Sequence, residues 1–318
     1  MREFDVIQRF FTRPTPGSVL GVGDDAALLR VNDAMQLAVS SDMLVCGTHF
    51  FPDADPLLLG HKTLAVNLSD LAAMGALPRW AVLSLSLPQV DEAWLEKFSA
   101  GFFALADEHG VELVGGDTTR GELNLCVTIM GEVPQGKALR RDGAQLDDDI
   151  WVSGSLGNAA LGLAHLQGKI NLPDAGRADS LAALHQPRPR VALGLALRGI
   201  AHSAIDISDG LLADLGHILQ RSQAGADIHF ADIPSFSRGN HDDTHERLLA
   251  HCVLSGGDDY ELCFTASARQ RAAIAGIAAQ LDLPLTRIGK IVAGCECVVR
   301  DGQGNPINVE AEGYDHFR

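Results

Sequence analysis

Carboxylates set beside small residues recur at six places along the chain: Gly21-Val22-Gly23-Asp24-Asp25, Ser40-Ser41-Asp42, Asn67-Leu68-Ser69-Asp70, Gly115-Gly116-Asp117-Thr118-Thr119-Arg120-Gly121, Asp206-Ile207-Ser208-Asp209-Gly210 and Ser255-Gly256-Gly257-Asp258-Asp259. Glycine lets a backbone approach a ligand closely, and aspartate offers hard oxygen donors on a short tether. If several of these segments converge, they form a cage for more than one metal ion, suited to a nucleoside triphosphate. The charge balance has the same sense. With 25 Lys+Arg against 41 Asp+Glu the formal net charge is −16, which opposes nonspecific attraction to nucleic acid or an anionic membrane. It also repels a bare polyphosphate unless cations bridge it. Most of the acids are solvated surface; the six clusters are the exceptions.

Elements that would position these residues follow from pattern. Gln36 to Ser41 reads as a strand ending at Asp42, Leu57 to Met74 as a long helix, and Trp80 to Leu87 as a strand. Asp91 to His109 reads as a helix with Asp91 as N-cap and Gly110 as the stop. Leu123 to Val133 is a further strand. The polar stretch Pro134 to Asp149 marks a boundary, giving domains 1–138 and 139–318. Beyond it come a strand at Ile150 to Ser153, a small-residue helix Ala159 to Leu166, an irregular polar stretch His165 to Ala183, and a helix Val191 to Ile200. Ser203 to Ile207 is a short buried strand. Leu211, Leu212, Leu215, Ile218 and Leu219 have helical spacing, so Asp209 opens an amphipathic helix. Strands and helices mixed in both halves predict an α+β fold of two mixed domains.

Each cluster also has a structural reading. Asn67 and Asp70 share a helix face and can be internal hydrogen-bonding groups. Ser41 and Asp42 at a strand end can make a turn, and His49 can be an ordinary core or surface residue. Gly115 to Gly121 can be a Gly-rich turn, or two glycines freeing N–H groups for phosphate beside a metal-binding acid and a charge-balancing Arg. Arg140 and Arg141 can serve phosphate or offset Asp142 and Asp147 to Asp149. Asp209 can cap its helix. Asp206 is harder to explain so, because a carboxylate inside a short apolar strand requires a cation, Arg or Lys.

Several classes are absent from the pattern. There is no Gly-x-x-x-x-Gly-Lys-Ser/Thr loop, no His-Arg-Asp or Asp-Phe-Gly, and no Gly-x-Ser-x-Gly. Gly21-Val22-Gly23 leads into two acids, which is wrong for a dinucleotide fingerprint. No stretch is apolar enough for a membrane span, and the N-terminus has no signal-peptide h-region. The six cysteines show no disulfide framework, which fits a reducing cytoplasm; Cys295 and Cys297 have the spacing of a metal clip or of same-face strand residues.

Taken together and in this order, these motifs resemble the thiamine-monophosphate kinase family of the aminoimidazole-ribotide-synthetase-like superfamily. Asn67 to Ala76, Gly115 to Gly121 and Ser203 to Leu211 carry the resemblance most specifically, and it runs from Gly21 to Phe317. One departure is Asp258, where that family usually has Glu. The resemblance implies ATP-dependent phosphorylation of thiamine monophosphate to thiamine diphosphate. It implies a homodimer paired through the N-terminal, ATP- and metal-binding domain, with Leu37 to Val39 and Val82 to Leu87 as an apolar seam. It implies a shell for several Mg2+ ions from Asp25, Ser40, Ser41, Asp42, Asp70, Asp117, Asp206 and Asp209. Nucleotide contacts would come from Gly116, Asp117, Arg141 and Ser208, and thiamine-phosphate contacts from His49, Asp258 and Tyr314. No dedicated catalytic base is implied, and transfer is expected to be direct. Other readings are another ATP-using enzyme of the superfamily and a non-catalytic, metal-dependent nucleotide sensor. This chain's first Cys, Cys46, and its Tyr314-Asp315-His316-Phe317-Arg318 end speak against a selenophosphate synthetase and a carbamoyl-transfer protein.

Overall fold

A computed structural model of the chain describes residues 1–235 and 243–307. Contacts divide the chain into two units: Met1–Leu71 with Ala76–Gly136, and Ala72–Gly75 with the chain from Lys137 onward.

The first unit contains α1 (Glu3–Val6), β1 (Met35–Val45), α2 (Pro56–Ala73), β2 (Leu77–Leu87), α3 (Glu92–His109), β3 (Glu112–Arg120) and β4 (Asn124–Pro134). Its sheet has the order β1-β4-β2-β3, with β2 and β3 parallel and the other pairs antiparallel. Helix α3 has the expected ends: the Asp91 carboxylate accepts from the N–H groups of Ala93 and Trp94, and Gly110 closes it with φ 64°. One face of the sheet is covered. Leu83, Leu85 and Leu87 of β2 and Leu125, Val127 and Ile129 of β4 are buried there, as are Leu64, Leu68, Phe98 and Phe102 of α2 and α3. Each such side chain contributes about 1.5–3 kcal/mol. The two helices touch backbone to backbone. A Cβ on Gly60 would lie 2.0 Å from Phe98 O, and one on Gly101 would lie 1.9 Å from Leu57 O. That contact fixes the seat of α2, and with it Asn67 and Asp70.

The opposite face of the sheet is left open. Leu37, Val39 and Met43 of β1 are 43, 58 and 52 % exposed. The second segment expected in the apolar seam is not an apolar surface: in Val82 to Leu87, Leu83, Leu85 and Leu87 belong to the core, and the open face there carries Val82, Ser84 and Ser86. Two further expectations are corrected. The strand does not end at Asp42 but runs on to Val45, because β4 pairs with it along its whole length. Gly115 to Arg120 is not a turn; it lies in the edge strand β3, hydrogen-bonded to β2.

The second unit contains β5 (Asp149–Ser153), α4 (Asn158–Leu166), α5 (Asp174–His185), α6 (Val191–Ala196), β6 (Ser203–Asp206), α7 (Leu211–Ser222), β7 (Gly225–His229), α8 (Asp243–Ser255), β8 (Leu262–Ala266), α9 (Arg271–Leu281), β9 (Leu285–Val292) and β10 (Cys297–Arg300). The described strands form one sheet of order β10-β7-β9-β5-β8-β6. Its core joins Ile150, Val152, Ile205, Leu211, Leu215, Ile218, Val253 and Ile288. Helix α5 occupies a stretch expected to be irregular. It packs closely on α4: a Cβ on Gly162 of α4 would lie 2.6 Å from Ser180 O, and Leu184 is buried. Cys297 begins β10, whereas Cys295 precedes it, so the two are not same-face residues of one strand. All six cysteines are free thiols. Both units mix helices and strands, as the α+β expectation requires.

Candidate active site

In the first unit the carboxylates divide between the two faces of the sheet. On β1, Ser40 and Asp42 share a face with Leu44, which is 4 % exposed. Helix α2 meets them there: Ser40 Oγ donates to Asp70 Oδ2, and the Asp42 N–H donates to Asn67 Oδ1 at 3.1 Å. Asn67 is held in turn by its own amide, which donates to Thr63 O at 3.1 Å. Two carboxylates, a hydroxyl and an amide thus gather at the sheet edge. Ser41 points the other way. Its Oγ lies 3.0 Å from Thr128 Oγ1 and donates to Val127 O at 3.1 Å.

Asp117 is on that opposite face and at the opposite edge. It pairs with Ser84, which pairs with Cys126, which pairs with Met43. Asp42 instead shares its row with Val127, Leu83 and Gly116. Three strand spacings of about 4.8 Å put Asp42 and Asp117 of one chain ~14 Å apart. Two ligands of one magnesium ion are at most about 4 Å apart. Gly116 is also explained by packing. A Cβ there would lie 2.0 Å from Leu83 O, so close approach of β3 to β2 demands glycine. Because β3 is an edge, alternate N–H groups point away from β2, which is the feature that suits a phosphate.

Asp24 and Asp25 are exposed, and the Asp25 N–H donates to Asp24 Oδ1 at 3.0 Å. His49 follows β1 in a turn, where its Nδ1 accepts from the Val45 N–H at 3.0 Å. That bond fixes the proton of the neutral ring on Nε2, so Nδ1 is not available as a base.

In the second unit two acidic segments interlock. The Asp258 N–H donates to Ser208 O at 2.9 Å, the Tyr260 N–H to Ile207 O at 2.8 Å, and the Ile207 N–H to Glu261 O at 2.8 Å. A Cβ on Gly257 would lie 2.4 Å from Ser208 O. Asp258 and Tyr260 have φ values of 70° and 50°, a conformation costly for side-chain-bearing residues, and the Tyr260 hydroxyl donates to Asp258 Oδ1 at 3.1 Å. Beneath them the buried Glu261 receives Arg190 through Nε at 2.7 Å and through Nη2, together with the Ser153 hydroxyl at 2.5 Å. Asp259 accepts at 2.8 Å from the N–H of Gly157, the residue before α4, and burial raises its carboxyl well above the usual range.

Sequence reasoning missed Asp214. Asp209 does not cap α7; the cap position is Gly210, with no side-chain cap bond. Asp214 reaches back from the first turn, and its Oδ2 accepts the N–H groups of Ser208 at 2.9 Å and Asp209 at 3.0 Å. Burial pushes its carboxyl up to about 7, against those bonds and the charge of nearby Arg141. Since the Ser208 N–H is committed to Asp214 and its carbonyl accepts from Asp258, its hydroxyl is the group left to meet a ligand. Asp206 is buried at 5 % exposure at the end of β6. Tyr314 lies outside the described residues. Among the described residues no three His, Cys, Asp or Glu side chains come together as a metal site, and no helix is long and apolar enough to cross a membrane.

The two units define the class. Residues 23–133 match the AIR synthase related protein N-terminal domain, and residues 145–302 match the corresponding C-terminal domain. Along 99 % of its length the chain is 48 % identical to thiamine-monophosphate kinase of Escherichia coli K12, of which it covers 98 %. It is also similar to the crystal structure of thiamine-monophosphate kinase from Stenotrophomonas maltophilia, with a TM-score of 0.84, 50 % identity and 96 % of each chain covered. The structure of AaThiL complexed with AMPPCP and TMP matches with a TM-score of 0.77 at 28 % identity, over 99 % of this chain and 96 % of that one. The chain belongs to the thiamine-monophosphate kinase family, a family of phosphotransferases.

Proposed function

We propose that the chain transfers the terminal phosphoryl group of ATP directly to thiamine monophosphate, giving thiamine diphosphate, as a magnesium-dependent homodimer in the cytoplasm. The full-length likeness to thiamine-monophosphate kinases carries this reading. The donor chemistry supports it: carboxylates and hydroxyls are hard oxygen ligands, and magnesium is commonly held by one or two carboxylates together with substrate phosphates. Asp42 and Asp70, with Ser40, would hold an ion on one face of the sheet; Asp117 and Ser41 lie at opposite edges of the other face and would each serve an ion at its own edge. Asp206 and Asp209 would do so from the second unit, and Asp25 from its exposed loop. Bound magnesium supplies charge neutralisation and alignment of the two phosphates.

The acceptor oxygen belongs to a phosphate monoester, whose second pKa is near about 6, so no strong base is required. That agrees with a His49 whose Nδ1 is occupied and whose Nε2–H can only donate. The barrier is the meeting of two anions, which repel by roughly 4 kcal/mol at about 4 Å and an effective dielectric near 20. Gly116, Asp117, Arg141 and the Ser208 hydroxyl would bind the nucleotide. His49, Asp258 and Tyr314 would orient the thiamine phosphate, and in-line attack would proceed without a phosphoenzyme.

The ~14 Å between Asp42 and Asp117 supports a second part of the reading: a site built from both carboxylates needs a second copy of the chain. The open β1 face with Leu37, Val39 and Met43 is the surface such a copy would cover. Turnover with ATP and thiamine monophosphate tests the reaction. A purified protein that binds both and forms no thiamine diphosphate would refute it.

A further inference from the structure

Asp214 is buried, at 3 % exposure, and the pattern of its bonds is not that of a helix cap. A cap residue serves the unpaired N–H groups inside the first turn. Asp214 sits inside the first turn and serves N–H groups that precede the helix, those of Ser208 and Asp209. Its own N–H donates to Gly210 O at 3.0 Å. Its neighbours Leu211, Leu212 and Leu215 are buried in the core, so its carboxylate is anchored from below. On the other side Ile207 and Ser208 are held by Asp258, Tyr260 and Glu261. The segment from Ile207 to Asp209 is thus gripped from two directions through its backbone. Arg141 lies near enough to act on the same carboxylate. Burying a carboxylate costs several kcal/mol unless it is partnered, and its partners here are the N–H groups of Ser208 and Asp209.

We propose that Asp214 is a positioning residue for the phosphoryl-transfer site: it holds Ser208 and Asp209 in the geometry that meets the metal-bound nucleotide, without itself touching metal or nucleotide. The proposal rests on the assignment of Ser208 and Asp209 made under the proposed function. Partners that orient metal ligands typically contribute about 10–100-fold in metal affinity.

Asp214→Asn keeps the volume of the side chain and halves its acceptor capacity. It is expected to raise the magnesium concentration for half-maximal turnover about tenfold, with kcat recovering at high magnesium. Binding of magnesium with AMPPCP, measured by calorimetry, is expected to weaken by a similar factor. Asp227→Asn is the control. It loses the ion pair with Arg300 at the far edge of the sheet, and should lower stability without moving the magnesium requirement. A purely structural role for Asp214 would lower melting temperature and kcat together, and excess magnesium would restore neither. That result, or a wild-type magnesium dependence in folded Asp214→Asn, overturns the proposal. If the wild-type protein itself fails to bind magnesium with AMPPCP, the functional reading fails and takes this inference with it.

Discussion

The split of Asp42 and Asp117 across the sheet can be tested by complementation. Each of Asp42→Asn and Asp117→Asn removes one hard anionic ligand at nearly constant volume. Each homodimer is expected to fold and to lose at least about 100-fold in turnover, the scale of losing one preorganised electrostatic group. The two positions lie on opposite faces, separated by β4 and β2, at ~14 Å, so one copy cannot present both to one ion. If Asp42 of one copy and Asp117 of the other build each site, a mixed dimer has one doubly substituted site and one intact site. Random pairing of equal amounts makes about half the dimers mixed, and half the sites in those are intact. Co-expressed variants should therefore regain about a quarter of wild-type activity. The assay is thiamine diphosphate formation by a sample carrying two affinity tags, purified through both; that doubly tagged dimer should show about half of wild-type activity per dimer. A mixed dimer no more active than its parents refutes the reasoning, as would a fully active monomer in light scattering.

Under the proposed mechanism, thiamine itself should be phosphorylated far more slowly than thiamine monophosphate, since it lacks the acceptor charge and its hydroxyl would need a base that the proposed mechanism does not supply; comparable rates would exclude a phosphate-acceptor mechanism. Ser208→Ala should weaken nucleotide binding about tenfold in calorimetry, because the Ser208 N–H is given to Asp214 and the contact must come from the hydroxyl; an unchanged affinity would show that the contact is made elsewhere. Burial holds His109 below its ordinary pKa, partly offset by Glu108 and reinforced by His61. The unfolded chain therefore takes up this proton first, and stability should fall as the pH drops through about 6.5. His109→Gln should flatten that fall in denaturant titrations at several pH values, and an unaltered slope would remove His109 from the account.

What the sequence determined by itself was local. Asp91 and Gly110 bound α3 because a cap needs only a carboxylate two or three residues before its donors and a glycine in the left-handed region. The spacing of Leu211, Leu215 and Ile218 marks α7 for the same reason. The motif order was enough for the resemblance and for the list of candidate carboxylates. Which of those meet was decided only by the tertiary structure. Ser40 and Ser41 are adjacent in the chain, yet one bonds Asp70 under α2 and the other bonds Thr128 on the open face. Strand parity assigns them, and parity is set by register with β4, a pairing some 85 residues away. The Gly115-Gly116 pair has the composition of a turn, but the approach of β3 to Leu83 O makes it a strand. Asp214 has no local signature at all, because its partners are backbone N–H groups that only the fold of the Ser208–Gly210 loop turns toward it.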